Sequence, residues 1–226
     1  MPFIAKSRIT LERIDITRIK DPRSELLSSD MVCPVCDHPM MIKAGAVKRH
    51  HFAHMPGRED CPYAIYSAGE TQEHRDAKEL IRDHTSEWFE EYLDAPGDLE
   101  VYIPGMTNAK WRIADVLFTF PGGWQVAHEA QLAAISVEDL TARTEDYNSQ
   151  GIDVFWWFGR DALKQKANLD WSMKRYGFIL EIEIGDTATP LKTVVLHSTG
   201  DATPDSDKAV SRNGDIRQPN ILPSGR

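Results

Sequence analysis

The stretch Trp111 to Gln131, WRIADVLFTFPGGWQVAHEAQ, constrains the fold more than any other part of the chain. Two β-like runs flank a tight Pro121-Gly122-Gly123 connection. Asp115 lies near the end of the first run, and Glu129 and Gln131 lie near the end of the second. Strand side chains alternate faces, so Glu129 and Gln131 point the same way. A neighbouring strand brings Asp115 beside them. Paired carboxylates are poor core material but good ligands for a hard cation such as Mg²⁺. A plain hairpin with a wet polar face fits the same spacing, so the rest of the chain must decide.

The 226 residues suffice for one domain of ordinary size and a small appended module, and the 41% hydrophobic content supports a core. A net charge of -9 argues against a basic coat for nonspecific nucleic-acid binding, but permits a local basic groove. Residues 1–60 hold ten Lys/Arg against eight Asp/Glu, whereas residues 61–100 hold three against eleven. The acidic excess thus falls on the segment read below as a helix and its exit. No run of about twenty apolar residues suggests a membrane span. The N-terminus MPFIAKSRITLERID turns charged too soon for a secretory signal. Three cysteines, two of them in Cys33-Pro-Val-Cys36, do not suggest a secreted disulfide framework. The expected location is the cytoplasm.

Residues 3–20 alternate Ile, Leu and Thr in the manner of one or two strands. The following segment, Cys33 to Cys61, has too few large apolar residues for a core of its own. It is rich in metal ligands instead. Cys33 and Cys36 have zinc-knuckle spacing, Cys61 adds a thiolate, and HHFAH supplies His50, His51 and His54. One tetrahedral structural Zn²⁺ site takes Cys33, Cys36, His54 and Cys61, with His51 the main competitor. A reduced CxxC turn is the bland alternative. A redox pair fits poorly because no βαβ pattern follows.

Gly69 to Tyr92 reads as one long helix, with Ala77, Leu80, Ile81, His84, Trp88 and Leu93 forming an apolar stripe. Glu70, His74 and Lys78 recur every four residues along one face. They are either a solvated charge ladder or the wall of an active site. Leu99 to Ile103 is a short strand, and the two runs described above follow. Ser136 caps a helix to about Gln150, stopped by Gly151, with Arg143 and Tyr147 on one face. Ile152 to Phe158 is a buried strand, reached by a crossover that suggests parallel pairing. A short helix within Asp161 to Trp171 and strands Phe178 to Ile184 and Leu191 to Leu196 complete the order. Residues from 198 onward have almost nothing to bury and are expected to be disordered.

The ordered set CPVC, KRHHFAH, GETQEHRDAK, RIADVLF, VAHEAQLAAIS and RTEDYNSQGIDVFWWF resembles the competence protein CoiA-like family over about residues 30–158. These are predicted PD-(D/E)XK, or restriction-endonuclease-like, nucleases. The resemblance implies an α/β fold, with a small zinc-knuckle module before an αβββαβ core. Together with the elements read above, the expected division is residues 1–66 for the N-terminal strands and zinc-finger-like module, 67–197 for the nuclease domain and 198–226 for the tail. The resemblance also places the helical acid at Glu70, the strand acids at Asp115 and Glu129, and Gln131 where lysine is usual. The family is linked to processing of DNA taken up during competence.

The expected function is therefore Mg²⁺- or Mn²⁺-dependent hydrolysis of DNA phosphodiesters, in DNA uptake, recombination or phage DNA processing. Asp115 and Glu129 hold the metal, helped by Glu70. Gln131 orients water, Lys78 offers the positive charge that Gln131 lacks, and His74 is a candidate for water or phosphate. Lys48, Arg49, His50, Arg143 and Tyr147 are candidates for DNA contact. Recombination or DNA-processing proteins are the protein partners to expect, and no membrane partner is expected. Alanine at Asp115 or Glu129 is expected to stop cleavage with the fold near intact. The rival reading is a catalytically inactive, zinc-containing DNA-binding protein, with Lys43 joining Lys48, Arg49 and His50 in gripping phosphates. A protein-interaction role is third; its best support is an exposed Trp156-Trp157 pair, although their dense apolar setting favours the core for both.

Overall fold

The computed structural model describes residues 2–46, 48–105 and 110–185, together with the backbone of 191–198. The expectation of a disordered tail concerns residues that, past Ser198, lie outside the described ones.

The N-terminal segment forms β1 (Ile4–Ser7), β2 (Arg13–Asp15), the short helix α1 (Pro22–Glu25) and β3 (Met31–Val32). These strands make a small antiparallel sheet in the order β2-β1-β3. A separate hairpin pairs β4 (Met40–Lys43) with β5 (His51–His54), and α2 (Pro62–Ser67) follows.

The remainder is α3 (Gln72–Trp88), β6 (Asp98–Ile103), β7 (Arg112–Thr119), β8 (Gln125–Gln131), α4 (Val137–Asn148), β9 (Ile152–Phe158), α5 (Lys166–Tyr176), β10 (Phe178–Ile184) and β11 (Leu191–Ser198). From α3 to β9 this is the expected helix, three strands, helix, strand. The six strands form one mixed sheet in the order β11-β10-β9-β8-β7-β6. The β6–β7–β8 meander is antiparallel, β8–β9 and β9–β10 are parallel, and β11 closes the edge antiparallel to β10. Gly122 and Gly123 take φ of 88° and 84° in the β7–β8 turn, where a side chain would be strained.

Both faces of the sheet are covered. Ala77 and Ile81 of α3 pack on one face with Val116, Phe118, Val126, Trp157 and Leu180. Leu140 and Tyr147 of α4 pack on the other with Leu117, Ala127, Val154, Trp156 and Phe158. Trp156 and Trp157 are thus core residues of opposite faces and not an exposed pair. The N-terminal segment does not build its own core. Its Phe3, Ile4, Ile16, Met31, Phe52 and Tyr63 belong to the apolar cluster under α3. Arg82 of α3 pairs with Asp15 at 3.0 Å, and Arg13 pairs with Asp98 at 3.0 Å, tying the two parts together at the rim.

The long helix is shorter than its charge pattern suggests. Thr71 caps α3 by accepting from the His74 amide at 3.1 Å, so Glu70 precedes the helix. At the far end the chain tightens into a 3-10 turn at Glu90–Tyr92. Ser136 caps α4 as expected, accepting from the Asp139 amide at 3.0 Å. Among the described residues no helix is long and apolar enough to cross a membrane.

Candidate active site and metal cluster

The pairing of β7 with β8 runs from Thr119↔Gln125 to Val116↔His128 and goes no further. Beyond that point β7 stays with β6 as far as Ile103↔Arg112, and β8 stays with β9 as far as Gln131↔Phe158. The sheet therefore parts in its middle, and Asp115 and Glu129 are the first residues past the split. Backbone groups freed there turn to side chains. The Asp115 amide donates to Glu129 Oε1 at 3.2 Å, and the Ala130 amide donates to Asp115 Oδ2 at 2.8 Å. Both carboxylates are buried.

Each is served from a different helix. On the α4 side, Arg143 Nη2 donates to Glu129 Oε2 at 2.5 Å and the Tyr147 hydroxyl donates to Oε1 at 2.8 Å. The Arg143 guanidinium also lies 4.7 Å from the Trp156 ring centre and reaches Gln131 Oε1 at 3.4 Å. Gln131 turns its amide nitrogen onto the Ala133 carbonyl at 2.8 Å. His128 points to the opposite face, where its Nδ1 accepts from Trp157 Nε1 at 2.8 Å. Burial, and then the Asp115 charge, push Glu129 up to about 7, held back by Arg143 and the Tyr147 hydrogen bond.

On the α3 side, Tyr66 of α2 donates to Asp115 Oδ1. His74 stands between two acids. Its Nδ1 lies 2.9 Å from Glu70 Oε1, and its Nε2 lies 3.3 Å from Asp115 Oδ2 and 3.1 Å from the Ala130 carbonyl. Burial works against its charge, but the Asp115 charge and the hydrogen bonds to both acids push it up to about 10. Burial likewise opposes the Asp115 charge, and the neighbouring His74 and Lys78 outweigh it, holding this carboxyl well below the usual range. Asp115 thus has three donors, and alanine there strands a buried imidazolium and a tyrosine hydroxyl. The expectation of a fold near intact does not carry over to that substitution.

Glu70 and Lys78 sit behind this layer. Lys78 is fully buried, with Nζ 2.5 Å from Glu70 Oε1, 2.5 Å from Glu100 Oε1 and 3.3 Å from the Tyr66 hydroxyl. Its charge is spent on two carboxylates, and Glu70 reaches Asp115 through His74. The sequence reading missed Glu100 and Tyr66. Glu100 takes a φ of 52° between the Leu99↔Val116 and Val101↔Ala114 pairs, and its Oε2 accepts from the Phe3 amide at 2.7 Å.

The candidate DNA-binding residues fall in two places. Arg143 and Tyr147 are at the carboxylates. Lys48, Arg49 and His50 line a groove of about 940 Å³ against Gln72, Glu73, Asp76 and Glu79 of α3. There Arg49 is paired with Asp76 at 3.1 Å and Glu79 at 3.2 Å.

A family model described as Competence protein CoiA, nuclease-like domain, matches residues 70–184. This span holds every residue of the split-sheet site except Tyr66. The chain belongs to the competence protein CoiA family. A second model, Competence protein CoiA, N-terminal domain, matches residues 19–64. No curated protein matches the chain, and no solved structure does.

The CoiA N-terminal domain carries the cysteines. Cys33 and Cys36 lie on the turn after β3, where Asp37 takes a φ of 56° and its amide donates to the Cys33 carbonyl at 3.0 Å. His54 ends β5, and Cys61 immediately precedes α2. The ligand atoms of Cys33, Cys36, His54 and Cys61 all lie within 4.8 Å of one another. Cys33 Sγ and Cys61 Sγ are 3.7 Å apart, and Cys36 Sγ is 3.6 Å from His54 Nε2. Zinc–sulfur bonds of about 2.3 Å in a tetrahedron put sulfurs about 3.8 Å apart, so the donor set is compatible with a zinc knuckle. His51 lies outside the cluster. It is three residues from His54 on one strand, hence on the other face, with Nδ1 at the Arg49 carbonyl at 2.8 Å. Protein purified without chelator is expected to hold one zinc per chain by elemental analysis. Cys33→Ser should lose that zinc and lower the thermal midpoint, because the knuckle borders the shared core.

Proposed function

We propose that this CoiA-family chain is a Mg²⁺- or Mn²⁺-dependent deoxyribonuclease acting in the cytoplasm on DNA during uptake, recombination or phage DNA processing. The observation that supports this most is the meeting of Asp115 and Glu129 where the central strands part. Two buried carboxylates of this kind, with Glu129 pushed up by burial and then by the other's charge, suit a hard cation. Asp115 and Glu129 would hold it. When bound, such a cation polarises the scissile phosphate and lowers the pKa of the attacking water.

The side chains divide the remaining work. His74, kept protonated between Glu70 and Asp115, fixes the Asp115 carboxylate, and Tyr66 fixes its other oxygen. Tyr147 and Arg143 fix Glu129. Lys78 balances the charge of Glu70 and Glu100 behind the site and does not itself meet the phosphate. Gln131 can orient water but brings no charge. Arg143 stands beside both Glu129 and Gln131 and, unlike Lys78, keeps its side chain about a third exposed. It therefore takes the cationic role that lysine at position 131 would have had, facing the scissile phosphate.

The first test is cleavage of labelled single-stranded, duplex and forked DNA with Mg²⁺, Mn²⁺ or EDTA. Binding without cutting under every metal condition would turn the reading to an inactive, zinc-containing DNA-binding protein, which Gln131 favours. The role given to Arg143 has its own check. Arg143→Ala is expected to slow cleavage about 100-fold, the scale for one lost charge-stabilising group. Adding Gln131→Lys to that variant should recover part of the rate. The acid limb of the pH profile should also move up in R143A. Ionised Glu129 is the working form, and Arg143 is what restrains its rise. A rate and profile unchanged in R143A would remove it from the mechanism.

A further inference from the structure

A second groove, of about 640 Å³, opens beside the carboxylates. Its walls include Tyr66 and Arg143, which hold Asp115 and Glu129, and then Tyr102, Lys110, Trp111 and Arg112. Among the described residues no carboxylate lines it, in a chain whose net charge is -9. Arg112 pairs with Asp146, and Arg143 pairs with Glu129. The exposed Lys110 ammonium has no ion-pair partner among the described residues. Tyr102 and Trp111 stand at the outer end of the β6–β7 ribbon, Tyr102 within the pair Tyr102↔Ile113 and Trp111 just beyond the pair Ile103↔Arg112. Their ring centres are 6.5 Å apart with planes 37° from parallel. Both rings are partly buried against the main core, which fixes them from behind and leaves surface toward the groove.

We infer that this groove holds unpaired nucleotides, with Tyr102 and Trp111 stacking on bases while Lys110 and Arg143 meet the phosphates. The inference rests on the nuclease reading for the direction of the strand toward Asp115 and Glu129. Its chemistry is carried by the groove. Cations alone would suit any polyanion, duplex included. Aromatic faces gain nothing from a duplex, whose base faces are already stacked, but each is worth a stacking contact to a splayed base. The pairing of fixed rings with an acid-free basic wall thus selects a single strand or a frayed end.

Binding measured in EDTA separates this inference from catalysis. Fluorescence anisotropy would follow a short labelled single-stranded DNA, its duplex, and the RNA of the same sequence. The parent chain is expected to prefer the single strand, and comparison of DNA with RNA names the sugar it takes. Trp111→Ala should weaken single-strand binding about 10-fold and leave duplex binding nearly unchanged. Tyr102→Leu keeps an apolar contact with the core but removes the ring, so it should act in the same direction if W111A proves unstable. Lys110→Ala should weaken both forms and flatten the salt dependence. Single-strand affinity unchanged in both ring variants, or equal loss for single strand and duplex, would overturn the groove. Ring-dependent binding without cleavage at any metal condition would keep the groove and sink the nuclease reading. Metal-dependent cleavage with binding indifferent to both rings would do the reverse.

Discussion

Asp115→Asn and Glu129→Ala are each expected to lower metal-dependent cleavage by about 10³-fold or more, with loss of the response to added Mg²⁺. The two substitutions differ in what they do to the fold, and the choice of residue follows from that. Asparagine keeps one acceptor oxygen, for the Ala130 amide, and turns its amide nitrogen toward the Tyr66 hydroxyl, which must then accept, while removing the charge. It leaves the His74 imidazolium without its main partner, so D115N should also be less stable than the parent. The sign follows from the two pKa directions. His74, raised to about 10, contributes stability in full below about 6.5 and loses it as pH rises through 10. Asp115, held low, contributes above its ordinary value of 3.8. In chelator the stability gap between parent and D115N should therefore be widest between about pH 4 and 6.5 and narrow toward pH 10. Glu129→Ala frees Arg143, whose side chain can reach solvent, but it strands the buried Tyr147 hydroxyl and the Asp115 amide, so it too should lower stability. Activity that survives in both variants, in preparations shown to be folded, would refute the assignment of the site.

What could be read from the chain, and what could not, follows from the range of the interactions. Asp115, Glu129 and Gln131 were legible because a two-residue strand period and a Pro-Gly-Gly turn are local facts. The knuckle was legible from spacing, and the choice of His54 over His51 needed only the alternation of β5. The fourfold repeat of Glu70, His74 and Lys78 told the truth about proximity and misled about helix, since Thr71 caps α3 one residue after Glu70. Glu100 was not legible. In DLEVYI it alternates with Leu99 and Val101 and reads as the wet side of a strand. Only the N-terminal segment, placing Phe3 over it from nearly a hundred residues away, makes that side dry. The same long-range covering hides Lys78, which by sequence alone reads as free to serve the phosphate. Arg143 was a candidate for phosphate contact on helical spacing alone, and its pairing with Glu129 depends on the α4 crossover.

Lys78→Met is expected to be the most destabilising of the substitutions considered, by about 3–5 kcal/mol, read as a fall of roughly 10 °C in the thermal midpoint. Methionine fills much the same volume against the Phe3 and Tyr66 rings, so the effect reports charge more than packing. Lys78 is the shared partner of Glu70 and Glu100 in a pocket with no exposed lysine surface. Without it Glu100 keeps the Phe3 amide but faces burial and the Glu70 charge unopposed. Burial first, and the Glu70 charge after Lys78's opposing pull, already raise Glu100 above its ordinary value. Removing Lys78 raises it further. A carboxyl with a raised folded-state pKa gives stability that is present at low pH and lost as pH climbs. The K78M deficit should therefore be larger at pH 8 than at pH 5. Glu100→Gln added to K78M keeps the acceptor for Phe3, removes one stranded charge, and should restore part of the loss at pH 8. If K78M melts with the parent at both pH values, Lys78 is not the counter-charge that lets two carboxylates stand behind the site.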